Sequence, residues 1–98
     1  MTVRVMGLIE LQDPSAFDVY RQHVGATVEQ YGGQICARGI ASHFFWNELE
    51  CAPFSAFVEL SFPSANHAHS WAHSPEYQAL IPIRNKAMTL TLFSLEAT

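Results

Sequence analysis

Two helix-start signals stand ten residues apart in the second half of this 98-residue chain, at Ser64 and Ser74. Serine is a preferred N-cap residue, and Pro75 disfavours helical geometry at the residue before it. We therefore expect one helix to begin at Ser64, to break just before Ser74 and to restart with Ser74 as its new cap. Pro82 should then kink or end the restarted helix.

The first half of the chain predicts one strand, one long helix and a second strand. Residues 3–11 alternate between two sets of side chains with the period of a strand. Asp13-Pro14 then provides a cap and a first helical residue, and Gly32-Gly33 provides a stop, so a helix should span roughly 14–31. Further strands are predicted at 34–40, 54–62 and 88–95.

This order, β-α-β-β-α-β, predicts an α+β protein with the ferredoxin-like fold: an antiparallel sheet that carries both helices on one face. The length suits a single domain over residues 1–98. The other face of the sheet would then be uncovered. The pattern places several large apolar side chains on it, namely Met6, Leu8, Phe57, Phe93 and Leu95.

Leaving such side chains in water forgoes roughly 1.5–3 kcal/mol each. Charged residues make up 14% of the chain, against about 25% in a typical soluble domain, so little charge is available to cover a monomer. We therefore predict a homodimer in which two sheets face each other, the dimeric α/β barrel. The alternative is a monomer in which one face of the sheet is exposed to solvent, because folded proteins expose much apolar surface.

Charge and the N-terminal sequence limit the other partners. The net charge is −4 and the five basic residues form no run, so we expect neither nucleic acid nor a membrane surface as a partner. The chain leads directly into a strand pattern without a secretory signal, which predicts a cytoplasmic protein. Cys36 and Cys51 lack the close spacing of a redox or zinc pair and should be free.

Nearly the whole chain resembles a known family. The motifs that carry the resemblance are Ser74-Pro75-Glu76-Tyr77-Gln78 with Arg84 downstream, Trp71, Asp13-Pro14, Tyr31-Gly32-Gly33 and Arg38-Gly39. Together they are similar to the domain-of-unknown-function family numbered thirteen-thirty, in the dimeric α/β-barrel superfamily. The resemblance implies the fold and the dimer. Relatives in that superfamily include cofactor-independent monooxygenases, lactone isomerases and haem-dependent peroxidases, so the fold alone indicates no single chemistry.

Two arginines are candidate ligand anchors for a small organic molecule bound between sheet and helices or at the dimer seam. Arg38 is expected on the uncovered sheet face, where its guanidinium would bind a carboxylate or enolate; the alternative is an ion pair with Glu59. Arg84 would turn inward beside Tyr77 and offer an anion a charge and a phenol. Alternatively, it interacts with the carbonyls of a helix end.

Aromatic side chains would form the walls of that site. Tyr20 in the first helix, Trp46, Trp71 and Tyr77 are the candidates, although Trp71 and Tyr77 would equally serve as core residues. Trp46 belongs to a run of three adjacent aromatics, residues 44–46, which cannot all face one core. We expect this run to seal a dimer edge or to cap a pocket.

A catalytic version of the site would need a proton acceptor. His23 and His43 are candidates for a general base in a cofactor-independent enzyme of monooxygenase or isomerase type. The histidines are otherwise surface or packing residues. A competing hypothesis is a non-catalytic structural dimer, in which both the arginines and the histidines are structural. His69 and His73 lie four apart on a helix, but no acid completes a ligand set, so we expect no metal and no cofactor.

Overall fold

A computed structural model describes residues 2–96 of the chain. Four strands form one antiparallel sheet in the order β2-β3-β1-β4, and the helices lie between the strands in sequence. The elements are β1 (Val3–Leu11), α1 (Pro14–Gln30), β2 (Gln34–Ile40), β3 (Ala56–Phe62), α2 (Ala65–Ala72), α3 (Pro75–Gln78), α4 (Ile81–Ala87) and β4 (Met88–Leu95). This is the predicted ferredoxin-like α+β fold.

The starts of α1, α2 and α3 are the ones that the sequence predicts. The Asp13 carboxylate accepts hydrogen bonds from the backbone N–H groups of the first turn of α1, at 3.0 and 3.1 Å. Ser64 Oγ accepts the N–H of His67 at 3.2 Å, and Ser74 Oγ accepts the N–H of Tyr77 at 3.0 Å. Each side chain satisfies a backbone donor that has no partner within its helix.

The helical region differs from the prediction after the start at Ser74. The restarted helix α3 ends at Gln78, and a further helix, α4, begins at Ile81 with Pro82 in its first turn. Proline is tolerated there because a first-turn N–H has no partner within the helix. Pro82 therefore lies at the start of a helix and does not terminate one.

The core lies between the sheet and the helices. Val3 and Phe62 of the central strands are almost fully buried, as are Val28 of α1 and Trp71 of α2. Helix α1 packs mainly against α4 and contacts β2 only lightly. Ile40 at the end of β2 is 83% exposed, and a cleft remains there between α1 and the sheet.

The other sheet face carries the apolar side chains that the alternation predicts. Met6 pairs with Phe93 on β4, and Phe93 is 42% exposed, while Leu95 is 49% exposed. Polar groups lie among them: Arg4 forms an ion pair with Glu59 across β1 and β3. No helix in the described part of the chain, residues 2–96, covers this face.

One extra residue in β2 reverses the face of Arg38. Pairing with β3 steps from Ile35 opposite Leu60 to Ala37 opposite Glu59, which is a β-bulge. Because side chains alternate along a strand, every later residue of β2 moves to the opposite face. Arg38 therefore lies on the helix side of the sheet. The prediction that it lies on the uncovered face is wrong, as is its ion pair with Glu59.

Between residues 2 and 96, no helix combines the length and the apolar character needed to cross a membrane. Cys36 and Cys51 are both exposed and free, as predicted. The cytoplasmic location stays a prediction.

Candidate functional site

A cleft of about 690 Å³ lies between α1 and the helix-facing side of the sheet. Phe17, Tyr20 and Val24 of α1 form one wall, and Trp71 and Tyr77 also line the cleft. Its floor is apolar and comes from all four strands, through Ile9, Ile35, Ile40, Ala56, Val58, Leu60, Met88, Leu90 and Leu92. Ligand pockets in proteins commonly have volumes of about 300–1,000 Å³ and mostly apolar linings, and the cleft falls within that range.

Gly7 sets the depth of the cleft floor. It lies on the helix-facing side of β1, opposite Val58 on β3 and Leu92 on β4. A Cβ added at Gly7 would lie 2.8 Å from Val58 Cγ1 and 3.1 Å from Leu92 Cδ1. Because Gly7 has no side chain, the side chains of Val58 and Leu92 can pack close to the backbone at the centre of the sheet.

Three polar side chains meet at the buried end of the cleft. The hydroxyl oxygens of Tyr20 and Tyr77 are 3.0 Å apart, and Arg84 Nη1 donates a hydrogen bond of 3.0 Å to the Tyr77 oxygen. The two phenol rings meet edge to face, and the Arg84 guanidinium also lies 5.7 Å from the Tyr77 ring centroid. A continuous chain of polar groups thus runs from Arg84 on α4, through Tyr77, to Tyr20 on α1.

This environment keeps Tyr20 protonated. Burial raises the pKa of Tyr20 far above its ordinary value, and the neighbouring Tyr77 acts in the same direction. The positive charge of Arg84 opposes the shift in the pKa but is the smaller influence. Tyr20 is therefore a neutral hydrogen-bonding group and not a base.

The helix break at Ser74 holds Trp71 and Tyr77 in place. Ser74 Oγ donates to the Trp71 carbonyl at 2.7 Å while it accepts the Tyr77 N–H. Trp71 Nε1 donates to Thr27 Oγ1 of α1 at 3.0 Å, and the rings of Trp71 and Tyr77 lie 4.4 Å apart. The break therefore fixes both aromatic rings relative to the cleft.

Glu76 ties the short helix α3 to the end of α1. Tyr31 donates its hydroxyl to Glu76 Oε1 at 2.6 Å, and Gln30 Nε2 donates to Oε2 at 3.3 Å. The hydrogen bond from Tyr31 lowers the pKa of Glu76 and raises that of Tyr31. This contact anchors the segment that carries Tyr77.

The charged side chains that line the cleft are both arginines. Arg21 and Arg38 are exposed and lie where the cleft meets solvent. Arg21 Nη1 is 4.0 Å from a carboxylate oxygen of Asp18, whereas Arg38 has no ion pair or hydrogen bond within residues 2–96. The mouth therefore carries positive charge above an apolar interior.

Arg21 was not among the sequence candidates. It lies next to Tyr20 on α1, beside the apolar stripe and not within it. Its guanidinium lies 5.7 Å from the Phe17 ring centroid, because residues four apart on a helix are neighbours. That spacing from Phe17 is the signal that would have identified it.

The structure brings only some of the predicted site residues together. Tyr20, Arg38, Trp71 and Tyr77 line the cleft, and Arg84 joins them through Tyr77. Their roles in binding stay predictions.

The remaining candidates lie outside the cleft. His23 is exposed on α1, while Trp46 is 81% exposed in the loop between β2 and β3. His43 belongs to the same loop, where its ring lies 4.7 Å from that of Phe45. Within residues 2–96, no three His, Cys, Asp or Glu side chains are placed to hold a metal ion.

Solved structures with the same fold are distant in sequence. A protein of unknown function from Rhodopseudomonas palustris is 17% identical with a TM-score of 0.80, and the match covers 99% of this chain and 82% of that one. A dimeric ferredoxin-like protein of unknown function from Jannaschia is 10% identical (TM-score 0.68; 99% and 100% covered). A cofactor-independent oxygenase from Streptomyces nogalater is 9% identical (TM-score 0.68; 99% and 93% covered). At these identities the likeness shows the fold alone.

No curated protein matches the sequence. A family described as "Domain of unknown function (DUF1330)" matches it over residues 3–98. Because that match spans almost the whole chain, the protein belongs to the DUF1330 family, as the Ser-Pro-Glu-Tyr block with its downstream arginine predicted.

Proposed function

We propose that this protein binds a small organic anion with an apolar body in the cleft between α1 and the sheet. One observation carries the proposal: the cleft is apolar throughout its floor, and its charged lining residues are two arginines at the mouth. An apolar body would gain about 25 cal/mol for each Å² that it buries. The cleft lining contains no carboxylate within residues 2–96, and the Asp18 carboxylate near the mouth lies 4.0 Å from Arg21.

The arginines suit a carboxylate better at the mouth of the cleft than they would in its buried interior. Transferring a carboxylate from water to an apolar interior is very costly, whereas at the mouth it stays partly hydrated. The Arg38 guanidinium offers paired N–H donors that match two carboxylate oxygens, and no ion pair within residues 2–96 occupies it. Arg21 lies on the α1 side of the mouth, and the neighbouring Asp18 carboxylate offsets part of its charge.

Calorimetric titration with naphthoate and with its neutral analogue naphthamide tests this proposal. We expect the protein to bind naphthoate more tightly, and Arg38→Gln to weaken naphthoate binding by about tenfold while naphthamide binding stays the same, because the variant removes a charge-assisted contact. Lys86→Gln is the control, since it removes the same charge from α4, away from the cleft. Absence of binding by both compounds, or an unchanged affinity of Arg38→Gln for naphthoate, would contradict the proposal.

We also propose that the protein acts as a homodimer. The uncovered sheet face with Phe93 and Leu95 supports this, as does the dimeric state named for the Jannaschia protein of the same fold. The cleft lies on the opposite side of the sheet, so the dimer would leave its mouth accessible. A structural dimer without a ligand is the alternative, and the titration above distinguishes the two.

A cofactor-independent enzyme is the second candidate, and the oxygenase activity named for the Streptomyces protein of similar fold favours it. The chemistry of the cleft favours binding instead. His23 and His43 lie outside it, and its phenol Tyr20 has a pKa raised by burial, which makes it a poor proton acceptor.

A further inference from the structure

The two phenols at the buried end of the cleft have one more O–H donor than the protein uses. Tyr20 and Tyr77 have two hydroxyl protons, and only one can lie in the 3.0 Å contact between their oxygens. Arg84 adds a third donor to this pair but no acceptor. Within residues 2–96 no other hydrogen bond reaches either phenol oxygen, so one hydroxyl proton lacks an acceptor.

The direction of the hydrogen bonds among Arg84, Tyr77 and Tyr20 identifies the unused donor. Arg84 already donates to the Tyr77 oxygen, which leaves Tyr77 free to donate its own proton to Tyr20. Hydrogen bonds that run in one sense polarise and strengthen one another. The order Arg84 to Tyr77 to Tyr20 therefore leaves the Tyr20 hydroxyl proton unpaired. Tyr20 is also the more accessible phenol, at 8% exposed against 2% for Tyr77.

We propose that the Tyr20 hydroxyl donates a hydrogen bond to an acceptor oxygen of the ligand, at the end opposite the group bound by Arg38. This inference rests on the proposed function and narrows the ligand to a carboxylic acid with an apolar body and a carbonyl at its far end. A ligand with an apolar far end would leave a buried donor unsatisfied, which costs about 1–3 kcal/mol. Sites built around a hydrogen bond reject analogues that lack the partner group.

Pairs of carboxylic acids that differ only at the far end test this inference. The probes are para-acetylbenzoate and its longer naphthalene and biphenyl homologues, each compared with the compound that carries isopropenyl in place of acetyl. The replacement keeps the shape and removes the acceptor. We expect the acetyl member of at least one pair to bind about tenfold more tightly. In Tyr20→Phe that preference should disappear, because the isopropenyl compound no longer buries an unsatisfied donor and should bind more tightly than it binds the wild type.

Arg84 is a positioning residue in this series of hydrogen bonds, since it orients the Tyr20 hydroxyl through Tyr77. Arg84→Met should reduce the preference for acetyl, and Arg84→Lys, which keeps a donor, should restore part of it. When the acetyl probe binds the wild type, the hydrogen bond from Tyr20 should lower the wavenumber of its carbonyl stretch. In Tyr20→Phe this lowering should be absent. The Arg84 variants and the wild-type spectrum test the inference even if Tyr20→Phe does not fold.

The outcomes separate this inference from the proposed function. If the members of every pair bind equally, or if the preference survives in Tyr20→Phe, the inference is wrong, while weaker binding of both members by Arg38→Gln would still support the anion site. If no member of any pair binds, the anion site itself is wrong and the inference fails with it.

Discussion

At the scale of single residues, Tyr20 links the cleft to the pH dependence of stability. Burial raises its pKa in the folded protein above the unfolded value of about 10. The folded state therefore holds more protons than the unfolded state at high pH. The stabilising contribution is complete below about pH 10 and is lost as the pH rises further, by up to about 1.4 kcal/mol per pH unit.

Urea unfolding near pH 8 and near pH 11 measures this effect. Tyr20→Phe has no proton to lose, so its free energy of unfolding should fall less between the two conditions than that of the wild type. An equal fall in both proteins would mean that Tyr20 ionises normally in the folded state.

Gly33 allows the closest approach between the start of β2 and the core. A Cβ at this position would lie 2.6 Å from Phe62 Cε1 and 2.8 Å from the backbone oxygen of Ser61, which cannot move easily. We expect Gly33→Ala to lower the free energy of unfolding by about 1–3 kcal/mol. Gly25→Ala in α1 is the control, because its Cβ would meet Ile35 at an ordinary 3.8 Å and should stabilise the helix. Urea unfolding measures the free energy of unfolding of both variants. Equal values for Gly33→Ala and Gly25→Ala would contradict the steric argument.

The sequence named residues of the cleft but did not place all of them correctly. It proposed Arg38 as a candidate anion anchor, and alternation alone placed Arg38 on the wrong face, because a bulge between Ile35 and Ala37 leaves no clear mark in the sequence. Tyr77 and Arg84 were expected to meet. Their link to Tyr20 needed the structure, since it joins helices that are distant in the chain.

At the scale of secondary-structure elements, Ser74 joins stability to the shape of the cleft. It caps α3 and also bonds the last turn of α2. Ser74→Ala should lower the free energy of unfolding by about 1–2 kcal/mol and release the Trp71 and Tyr77 rings, with a weaker near-ultraviolet circular dichroism signal. Ser64→Ala, which removes only the α2 cap and its own contact with His67, should destabilise the protein but leave that signal intact. Similar spectra for both variants would contradict this role of Ser74.

The elements followed from local signals where caps and alternation were strong. β1, β2 and β4 have the predicted bounds, and α1 differs by one residue at its end. The sequence did not predict helix α4, because a proline such as Pro82 is compatible both with the end of a helix and with the first turn of a new one. The aromatic run at 44–46 lies in a loop whose three-dimensional path depends on distant contacts, such as Phe44 against Phe54 at 5.1 Å.

At the scale of the whole molecule, the uncovered sheet face predicts a dimer. Light scattering should report a particle of twice 11.0 kDa at micromolar concentration. Phe93→Glu should shift it towards the monomer, because a charge would be buried at the interface. Val19→Glu on α1 is the matched control, since Val19 is 43% exposed and Phe93 is 42% exposed. A wild-type particle of 11.0 kDa, or dissociation by Val19→Glu alone, would contradict the sheet-to-sheet dimer.

The proposal that the cleft binds an anion is tested most directly by a crystal structure of the protein with naphthoate. We expect the naphthalene ring between α1 and the sheet, against Val58 and Tyr20, with its carboxylate in contact with Arg38. Naphthoate bound instead in the loop around Trp46, with no ligand between α1 and the sheet, would contradict the proposed site.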